Sequence, residues 1–208
     1  LDIGTGNGEI SHFLSQEFDV ISVDIEDHRN STEGYTFLIT NESLPFPDEY
    51  FDVVVSNHVI EHVSDQQLHL SEIARVLKPN GVVYLATPNR LWPWEVHYQV
   101  PFIHYLPHAI FISLLKRMDK FQEDVKLLTW HDIKRAVKPY FKIHIYSDRV
   151  CRLPSNYFMT CSPLCRRILK LIPLNIYTLL TIIHPTFIVI LEKKTEFKSA
   201  FVIHKTPF

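Results

Sequence analysis

Glycine and cysteine are both scarce in this chain: its 208 residues include only five glycines and three cysteines. An odd number of cysteines without metal-like doublets argues against a disulfide framework and favours a reducing compartment. The spacing of Cys161 and Cys165 allows half of a zinc site, although thiols without a chemical role are the preferred interpretation. Three of the five glycines stand within the first eight residues, so the few that exist are concentrated at one place.

Basic residues are scarce in the first half of the chain. Residues 1–104 contain four Lys or Arg against sixteen Asp or Glu, whereas residues 105–208 contain seventeen against seven. An acidic half suits a cationic ligand, and a basic half suits an anionic acceptor or an anionic surface. Solvated helix faces are the plainer interpretation for most of the basic residues.

A long uninterrupted apolar run is also missing. Residues Leu171–Leu191 contain no Asp, Glu, Lys or Arg, which approaches the ~20 residues that a spanning helix needs. Pro173 and Pro185 interrupt this stretch, and they leave Leu174–Ile183 as the longest unbroken apolar helix. We therefore predict a core helix and then a buried strand over residues 186–191, not a membrane span.

The first eight residues combine the end of an apolar strand with a Gly-x-Gly-x-Gly turn, and a helical pattern follows over Glu9–Phe18. Glycines at every second position let the backbone press against a ligand that no Cβ would tolerate. The helix behind them offers free N–H groups and the positive end of its dipole. This combination is typical of the nucleotide corner of an α/β sheet. Dinucleotide dehydrogenases use G-x-G-x-x-G instead, and their third glycine is Glu9 here.

A second strand, residues 20–24, ends in an acid. Asp24 follows Gly8 by sixteen residues. A carboxylate at the end of the second strand can accept hydrogen bonds from both ribose hydroxyls of a nucleoside. A helix cap or a loop acid is the simpler role for an isolated Asp, but the spacing from the glycines favours ribose binding.

Two further motifs extend the pattern. Leu44 opens the sequence L-P-F-P-D-E-Y-F-D before the apolar run Val53–Val55, and Leu77 opens L-K-P-N-G, a predicted turn before the next strand. Together with the glycine turn and Asp24, these motifs resemble class I S-adenosylmethionine (SAM) methyltransferases. The similarity is to the broad group that includes the ubiquinone- and menaquinone-pathway enzymes. It extends over residues 1–88, which is less than half of the chain.

The resemblance implies an α/β fold, a Rossmann-like three-layer sandwich with a mostly parallel seven-stranded sheet and a final antiparallel strand. We place that last strand, residues 186–191, at the far edge of the sheet, and we assign the strand before it to residues 141–146. One methyltransferase domain over residues 1–208 is the simplest organisation for this length. Family members carry helices before the first strand, so we expect the chain to be an N-terminally truncated fragment.

The resemblance also implies SAM as the cofactor. The residues expected to hold it are Asp2, Gly4, Gly6, Gly8, Asp24, Ile25, Thr40, Asn41 and Asn57. In relatives, an Asp before the L-P-F segment often reaches the adenine amino group. This chain has Thr40 at that position, followed by Asn41, and either side chain is able to hydrogen-bond adenine instead.

The segment after the fifth strand is rich in proline and aromatic residues, and it begins on the ligand side of a parallel sheet. We predict an acceptor-binding insertion over about residues 89–128, with an apolar helix that ends near Lys116 and Arg117. The residues expected to contact the acceptor are Trp92, Trp94, Glu95, His97 and His104. The stretch resembles T-P-N-R-x-x-P-x-E-x-H segments of methyltransferases that are suspected of acting on sugars or lipid-linked intermediates.

The expected acceptor is a small molecule, namely a sugar, a lipid-linked compound or a quinone-like compound, of anionic or amphipathic character. A cytoplasmic location with peripheral membrane contact would suit aromatic residues flanked by cations. No nucleic-acid partner is expected. Residues 56–59, after the fourth strand, lack both the Asn/Asp-Pro-Pro-Tyr/Phe motif of amino-methylating enzymes and the cysteine of cytosine C5 enzymes. O-methylation is therefore favoured over C- or N-methylation.

His62 is the candidate general base, since it follows the fourth strand and a neutral imidazole can take a hydroxyl proton at pH 7. Its alternative is a packing or helix-capping role, and Glu61 would orient it or hold the cofactor loop. Residues 58–62 also match H-x-x-E-H, an inverted zinc-protease motif, but that motif requires a long helix. Some ubiquinone-pathway O-methyltransferases bind a divalent ion through a similar E-x-x-E-H segment. Because His58 replaces its first Glu, we predict no bound metal ion.

Two other functions are left open. A nicotinamide-dependent oxidoreductase is opposed by Glu9 and by the two motifs after the second strand. A non-catalytic module that only binds SAM is opposed by the intact glycines and Asp24, although such a module can retain ligand binding. Titration with NADH and SAM distinguishes a methyltransferase from an oxidoreductase. Turnover of SAM distinguishes a methyltransferase from a module that only binds SAM.

Overall fold

The structure is a computed structural model, and it describes residues 1–30, 32–41, 43–95, 97–121, 125–152 and 162–194. The strands are β1 (Asp2–Ile3), β2 (Ile21–Asp24), β3 (Thr36–Ile39), β4 (Phe51–Asn57), β5 (Leu77–Pro88), β6 (Trp94–Glu95), β7 (Val100–Pro101), β8 (Phe141–Ile145) and β9 (Thr186–Lys193). The α-helices are α1 (Glu9–Leu14), α2 (Gln66–Val76), α3 (His108–Arg117), α4 (Trp130–Val137), α5 (Ser147–Arg152), α6 (Pro163–Leu171) and α7 (Leu174–Leu179). Two 3-10 helices span Ile103–Tyr105 and Leu180–Ile183. Cys161 and residues 195–208, which enter the predictions above, lie outside the described residues.

Seven strands form one sheet in the order β3-β2-β1-β4-β5-β9-β8. The strands from β3 to β5 pair in parallel, whereas β9 runs antiparallel to both β5 and β8. The predicted mostly parallel seven-stranded sheet with a final antiparallel strand is therefore confirmed. Its predicted place at the far edge is wrong, because β9 lies between β5 and β8. The reason is burial: Phe187, Val189 and Leu191 are fully buried, which suits an interior strand better than an edge.

Helix α2 packs on the sheet and carries much of the main core. Asp65 caps it, because its Oδ1 accepts hydrogen bonds from the N–H groups of Gln67 and Leu68 at 2.8 and 3.0 Å. Its buried apolar residues are Leu70, Ile73, Ala74 and Val76. The same core includes Val54 of β4 and Leu85 of β5, so α2 holds the strands that lead to the site.

The L-K-P-N-G segment, predicted as a turn, lies within β5 as a bulge. Phe51 pairs with Leu77, and the next pair joins Val53 to Val82. The four residues 78–81 therefore lie opposite the single residue Asp52 of β4. A Cβ at Gly81 would lie 2.8 Å from the Asp52 backbone oxygen, so this close approach requires glycine.

Two predicted helices are shorter than expected. Helix α1 ends at Leu14 instead of Phe18, since the following turn is closed by bonds between residues three apart, such as Glu17 N–H to Leu14 O at 3.1 Å. The predicted apolar helix over residues 174–183 is divided between α7 and a 3-10 helix. Among the described residues, every helix is too short or too polar to cross a membrane.

Asp2→Asn is expected to stabilise the fold near neutral pH. The Asp2 side chain is buried beneath the glycine turn and accepts a hydrogen bond from Ser11 of α1. Burial raises the pKa of Asp2 to about 6, although the Ser11 hydrogen bond opposes this effect. The unfolded chain loses the proton first, so stability falls as the pH rises from about 4 to 6 and stays lower above that window.

Asn removes this charge, so the free energy of unfolding at pH 7 should rise by up to about 3 kcal/mol. Denaturant unfolding at pH 4 and pH 7 measures the effect, and the gain should disappear at pH 4. Exposed Asp19→Asn is the control. An Asn variant that is less stable at both pH values would contradict this account.

Candidate functional site

The glycine turn after β1 has the backbone geometry that only glycine adopts easily. Gly4, Gly6 and Gly8 have φ angles of 75°, 52° and 83°. A Cβ at Gly4 would lie 2.4 Å from Cγ2 of Val59, whereas a Cβ at Gly6 would meet no atom within 4 Å. Gly4 is therefore required for contact with the segment after β4, and Gly6 faces open space in which a ligand can lie.

Asp24 ends β2 beside this turn. Its Oδ2 accepts a hydrogen bond from Gly6 N–H at 2.9 Å, and its Oδ1 accepts one from Ile25 N–H at 2.7 Å. Each carboxylate oxygen has a further lone pair, so the side chain is fixed and can still accept bonds from two ribose hydroxyls. Ile25, which follows Asp24 directly, is 71% exposed, and its contact with a cofactor stays a prediction.

The predicted cofactor residues lie on neighbouring strands. β1 lies between β2 and β4 in the sheet, so the strand order reverses at β1. Open α/β sheets bind ligands at such a point of reversal, beyond the carboxyl ends of the strands. Asn57 ends β4. Thr40 and Asn41 follow β3 and close a turn with Ser43 through bonds of 3.0 Å each. This arrangement fits a nucleoside with a charged amino-acid tail. Contact between a cofactor and each of these residues stays a prediction, and the Asp2 side chain is buried under the turn.

The segment after β4 brings a buried carboxylate to the same edge. His58 adopts a φ of 58° and ends the strand, and Val59 then packs against Gly4. Glu61 is fully buried, and its Oε2 accepts a hydrogen bond from Thr87 Oγ1 of β5 at 2.8 Å. Burial alone would raise the pKa of Glu61. The nearby His58 ring, the hydrogen bond from Thr87 and a backbone N–H together outweigh burial and hold the pKa below the ordinary carboxyl value.

Three imidazole nitrogens converge on Oε1 of Glu61. His58 Nδ1 lies 3.4 Å away, and Nε2 of His62 and of His97 each lie 4.0 Å away. The rings of His62 and His97 are nearly perpendicular, with centroids 5.3 Å apart. Ligand atoms of Glu61, His62 and His97 all lie within 4.8 Å of one another, so these side chains could hold a divalent cation. Our expectation of no bound metal ion stays a prediction.

His97 reaches this cluster from the segment after β5, where Glu95 holds it. His97 Nδ1 lies 2.7 Å from Oε1 of Glu95, and Tyr98 N–H donates to Oε2 of Glu95 at 2.6 Å. Burial alone would raise the pKa of Glu95, but these bonds outweigh it and lower the pKa. Glu95 is almost fully buried, so in this structure it positions His97.

The other predicted acceptor residues are divided between surface and interior. Trp94 is 49% exposed and Trp92 is half-buried, so both are accessible from the surface. His104 is buried, with its Nε2 3.0 Å from Arg90 O, and burial lowers its pKa. His104 therefore helps to hold the insertion together. Acceptor contact by Trp92, Trp94, Glu95, His97 and His104 stays a prediction.

Sequence reasoning did not identify Thr87 or Val59 as site residues. Both act through partners distant in sequence: Thr87 is 26 residues from Glu61, and Val59 touches the first glycine of the turn. A Thr and a Val in strand-like sequence give no local signal of such contacts. For Thr87, the one available signal is that it opens the T-P-N-R segment, which resembles segments of other methyltransferases.

Comparison with known proteins supports the family. Residues 1–85 match the family described as a methyltransferase domain. The ubiquinone biosynthesis O-methyltransferase of Bartonella tribocorum is 30% identical over 105 residues, which cover 44% of this chain and 42% of that protein. The mitochondrial arginine-hydroxylase NDUFAF5 of Rattus norvegicus is 40% identical over 90 residues, or 39% of this chain and 26% of that protein. This chain therefore spans less than half the length of these curated relatives.

The fold is also found in solved structures. An S-adenosylmethionine-dependent methyltransferase from Mesorhizobium loti superposes with a TM-score of 0.62 at 15% identity, over 93% of this chain and 89% of that chain. The predicted resemblance to SAM-dependent methyltransferases is thus confirmed: residues 1–85 match a methyltransferase domain, and the proteins similar to this chain include SAM-dependent methyltransferases.

Proposed function

We propose that this protein transfers a methyl group from SAM to a hydroxyl group of a small-molecule acceptor. The contact between Gly4 and Val59 carries the proposal, because it joins the predicted cofactor turn to the segment that holds Glu61 and His62. On this proposal, His62, which follows Val59 by three positions, would face a ligand that passes over the turn. The proposed acceptor is a sugar, a lipid-linked compound or a quinone-like compound.

The chain's own residues divide the work. Asp24 and the glycine turn would hold the nucleoside and the amino-acid tail, and the bound SAM supplies an electrophilic methyl group on a sulfonium. In-line methyl transfer depends mostly on alignment and exclusion of water. His62 would take the hydroxyl proton of the acceptor as the oxygen attacks. Glu61 would stabilise the imidazolium that forms, since a buried carboxylate favours a nearby positive charge.

Turnover of SAM tests this proposal. The full-length protein is incubated with SAM and a panel of sugars, sugar phosphates and quinols, and S-adenosylhomocysteine is quantified by mass spectrometry. We expect its formation with at least one acceptor class, together with a methylated product. Asp24→Ala should strongly reduce the rate at low SAM concentration.

Two outcomes would contradict the proposal. Binding of NADH in competition with SAM would favour an oxidoreductase. Tight SAM binding without turnover on any acceptor would favour a non-catalytic module.

A further inference from the structure

The T-P-N-R segment at the end of β5 has three residues with polar side chains, and they differ in the hydrogen bonds that they make among the described residues. Thr87 donates to Glu61, and Asn89 Nδ2 donates to Ile182 O and His184 O at 2.7 and 2.6 Å. Arg90 uses only its backbone, since its N–H donates to Leu128 O and its carbonyl accepts from His104. Among the described residues, no hydrogen bond or ion pair involves the Arg90 guanidinium.

Arg90 differs in this respect from the other basic residues of the acidic half. Arg29 pairs with Asp27 at 2.8 Å, Arg75 with Glu72 at 2.7 Å, and Lys78 with Asp52 at 2.8 Å. These three cations lie beside carboxylates of the chain. Arg90 is the fourth basic residue of residues 1–104, and its exposed side chain has no such partner within the described ranges.

Arg90 lines a cleft of about 300 Å³ between the start of α2, the end of the insertion and α4. Lys126 and Arg135 line the same cleft, together with the polar side chains of Gln66, Gln67 and Asp132. Asp132 already accepts bonds from Thr129 and Arg135. The lining carries two net positive charges. Lys126 Nζ donates to Ser64 O at 2.7 Å and Arg135 donates to Asp132, so Arg90 is the lining cation whose side chain has no partner among the described residues.

The cleft shares a wall with the Glu61 segment. Lys126 N–H donates to Glu61 O at 2.7 Å, and Gln66 Nε2 donates to Ile60 O at 3.2 Å. A group bound in the cleft would therefore lie beside the segment that carries His62. Leu91, which follows Arg90 directly, is exposed, and Tyr105 donates to Leu91 O at 2.7 Å.

We propose that the cleft lined by Arg90, Lys126 and Arg135 binds a phosphate group of the methyl acceptor. Guanidinium groups present planar pairs of donors that match the oxygens of phosphate, and an ammonium adds a point charge. The proposal rests on the proposed methyltransferase function, and it specifies an acceptor that carries a phosphomonoester or diphosphate group. Such a phosphate belongs either to a soluble compound or to a lipid head group.

Inorganic pyrophosphate is the probe, titrated into the full-length protein by calorimetry at low ionic strength. We expect saturable binding at one site that weakens at least about tenfold in Arg90→Gln and in Arg135→Gln. Arg117→Gln removes the same charge from an exposed residue of α3 outside the cleft, and it should leave the affinity unchanged. Circular dichroism checks that each variant is folded.

Two parallel measurements complete the test. Affinity for S-adenosylhomocysteine should be unchanged in Arg90→Gln. Loss of pyrophosphate binding with intact nucleoside binding would then be specific to the cleft.

Vesicles that contain phosphatidic acid show the source of the phosphate. Vesicle binding that depends on Arg90 indicates a lipid acceptor. Pyrophosphate binding that depends on Arg90, without any such vesicle binding, indicates a soluble acceptor. Equal weakening in Arg117→Gln, or no weakening in Arg90→Gln, would overturn the inference. Failure to bind S-adenosylhomocysteine at all would instead overturn the proposed function.

Discussion

His62→Ala should lower kcat for methyl transfer by roughly 10²–10⁴, with nearly unchanged affinity for S-adenosylhomocysteine. A general base contributes about this much to a rate, and its loss affects the transition state rather than the ground state. The effect is expected because His62 Nε2 lies 4.0 Å from the buried carboxylate of Glu61, which would stabilise the protonated ring. Single-turnover kinetics with labelled SAM and an acceptor from the panel would measure it.

His131→Ala is the matched control for this variant, because His131 lies exposed on α4 and should leave kcat unchanged. His97→Ala provides a second comparison, since His97 contacts the same Glu61 oxygen from the insertion. A change in kcat of less than about threefold in His62→Ala would mean that the ring only packs there. Alignment of the two substrates would then account for the whole rate.

Asp24→Ala should weaken SAM and S-adenosylhomocysteine binding by roughly fivefold to a hundredfold. Two charge-assisted hydrogen bonds to the ribose would be lost, which corresponds to about 1–3 kcal/mol. The variant also removes the bond from Gly6 N–H to Asp24 Oδ2, so the glycine turn loses part of its support. Calorimetry on the full-length protein measures the change in Kd.

Glu17→Ala is the control for the charge change, because Glu17 is exposed beyond the far end of α1. It removes the same negative charge without touching the turn. Unchanged affinity in Asp24→Ala would refute the ribose assignment. An equal loss in Glu17→Ala would attribute the effect to the net charge of the acidic half.

The sequence predicts the cofactor half of the fold well because its signals are local. The glycine turn requires positive φ angles at three fixed positions, and the acid at the end of β2 follows at a fixed spacing. Alternating apolar residues and the Asp65 cap likewise determine α2 and its neighbouring strands. Each of these features depends on residues that are close in the chain, so a pattern in the sequence is enough.

The order of the last strands and the acceptor half could not be predicted in this way. β9 pairs with β5 across about a hundred residues, and its placement depends on which apolar faces are covered, not on a local motif. The insertion brings His97 to Glu61 and Lys126 beside Arg90 through its own small core of Tyr98, Ile103, Phe111, Leu115 and Val125. Such contacts depend on how the whole segment folds back onto the sheet.

The central claim is that a nucleoside binds across the carboxyl ends of β1, β2 and β4. A crystal structure of the full-length protein with S-adenosylhomocysteine tests it most directly. We expect both ribose hydroxyls within about 3.2 Å of the Asp24 carboxylate, the amino-acid tail beside Gly6, and the sulfur facing the segment that holds His62. A ligand bound elsewhere, with Asp24 still bonded only to Gly6 and Ile25, would contradict the account.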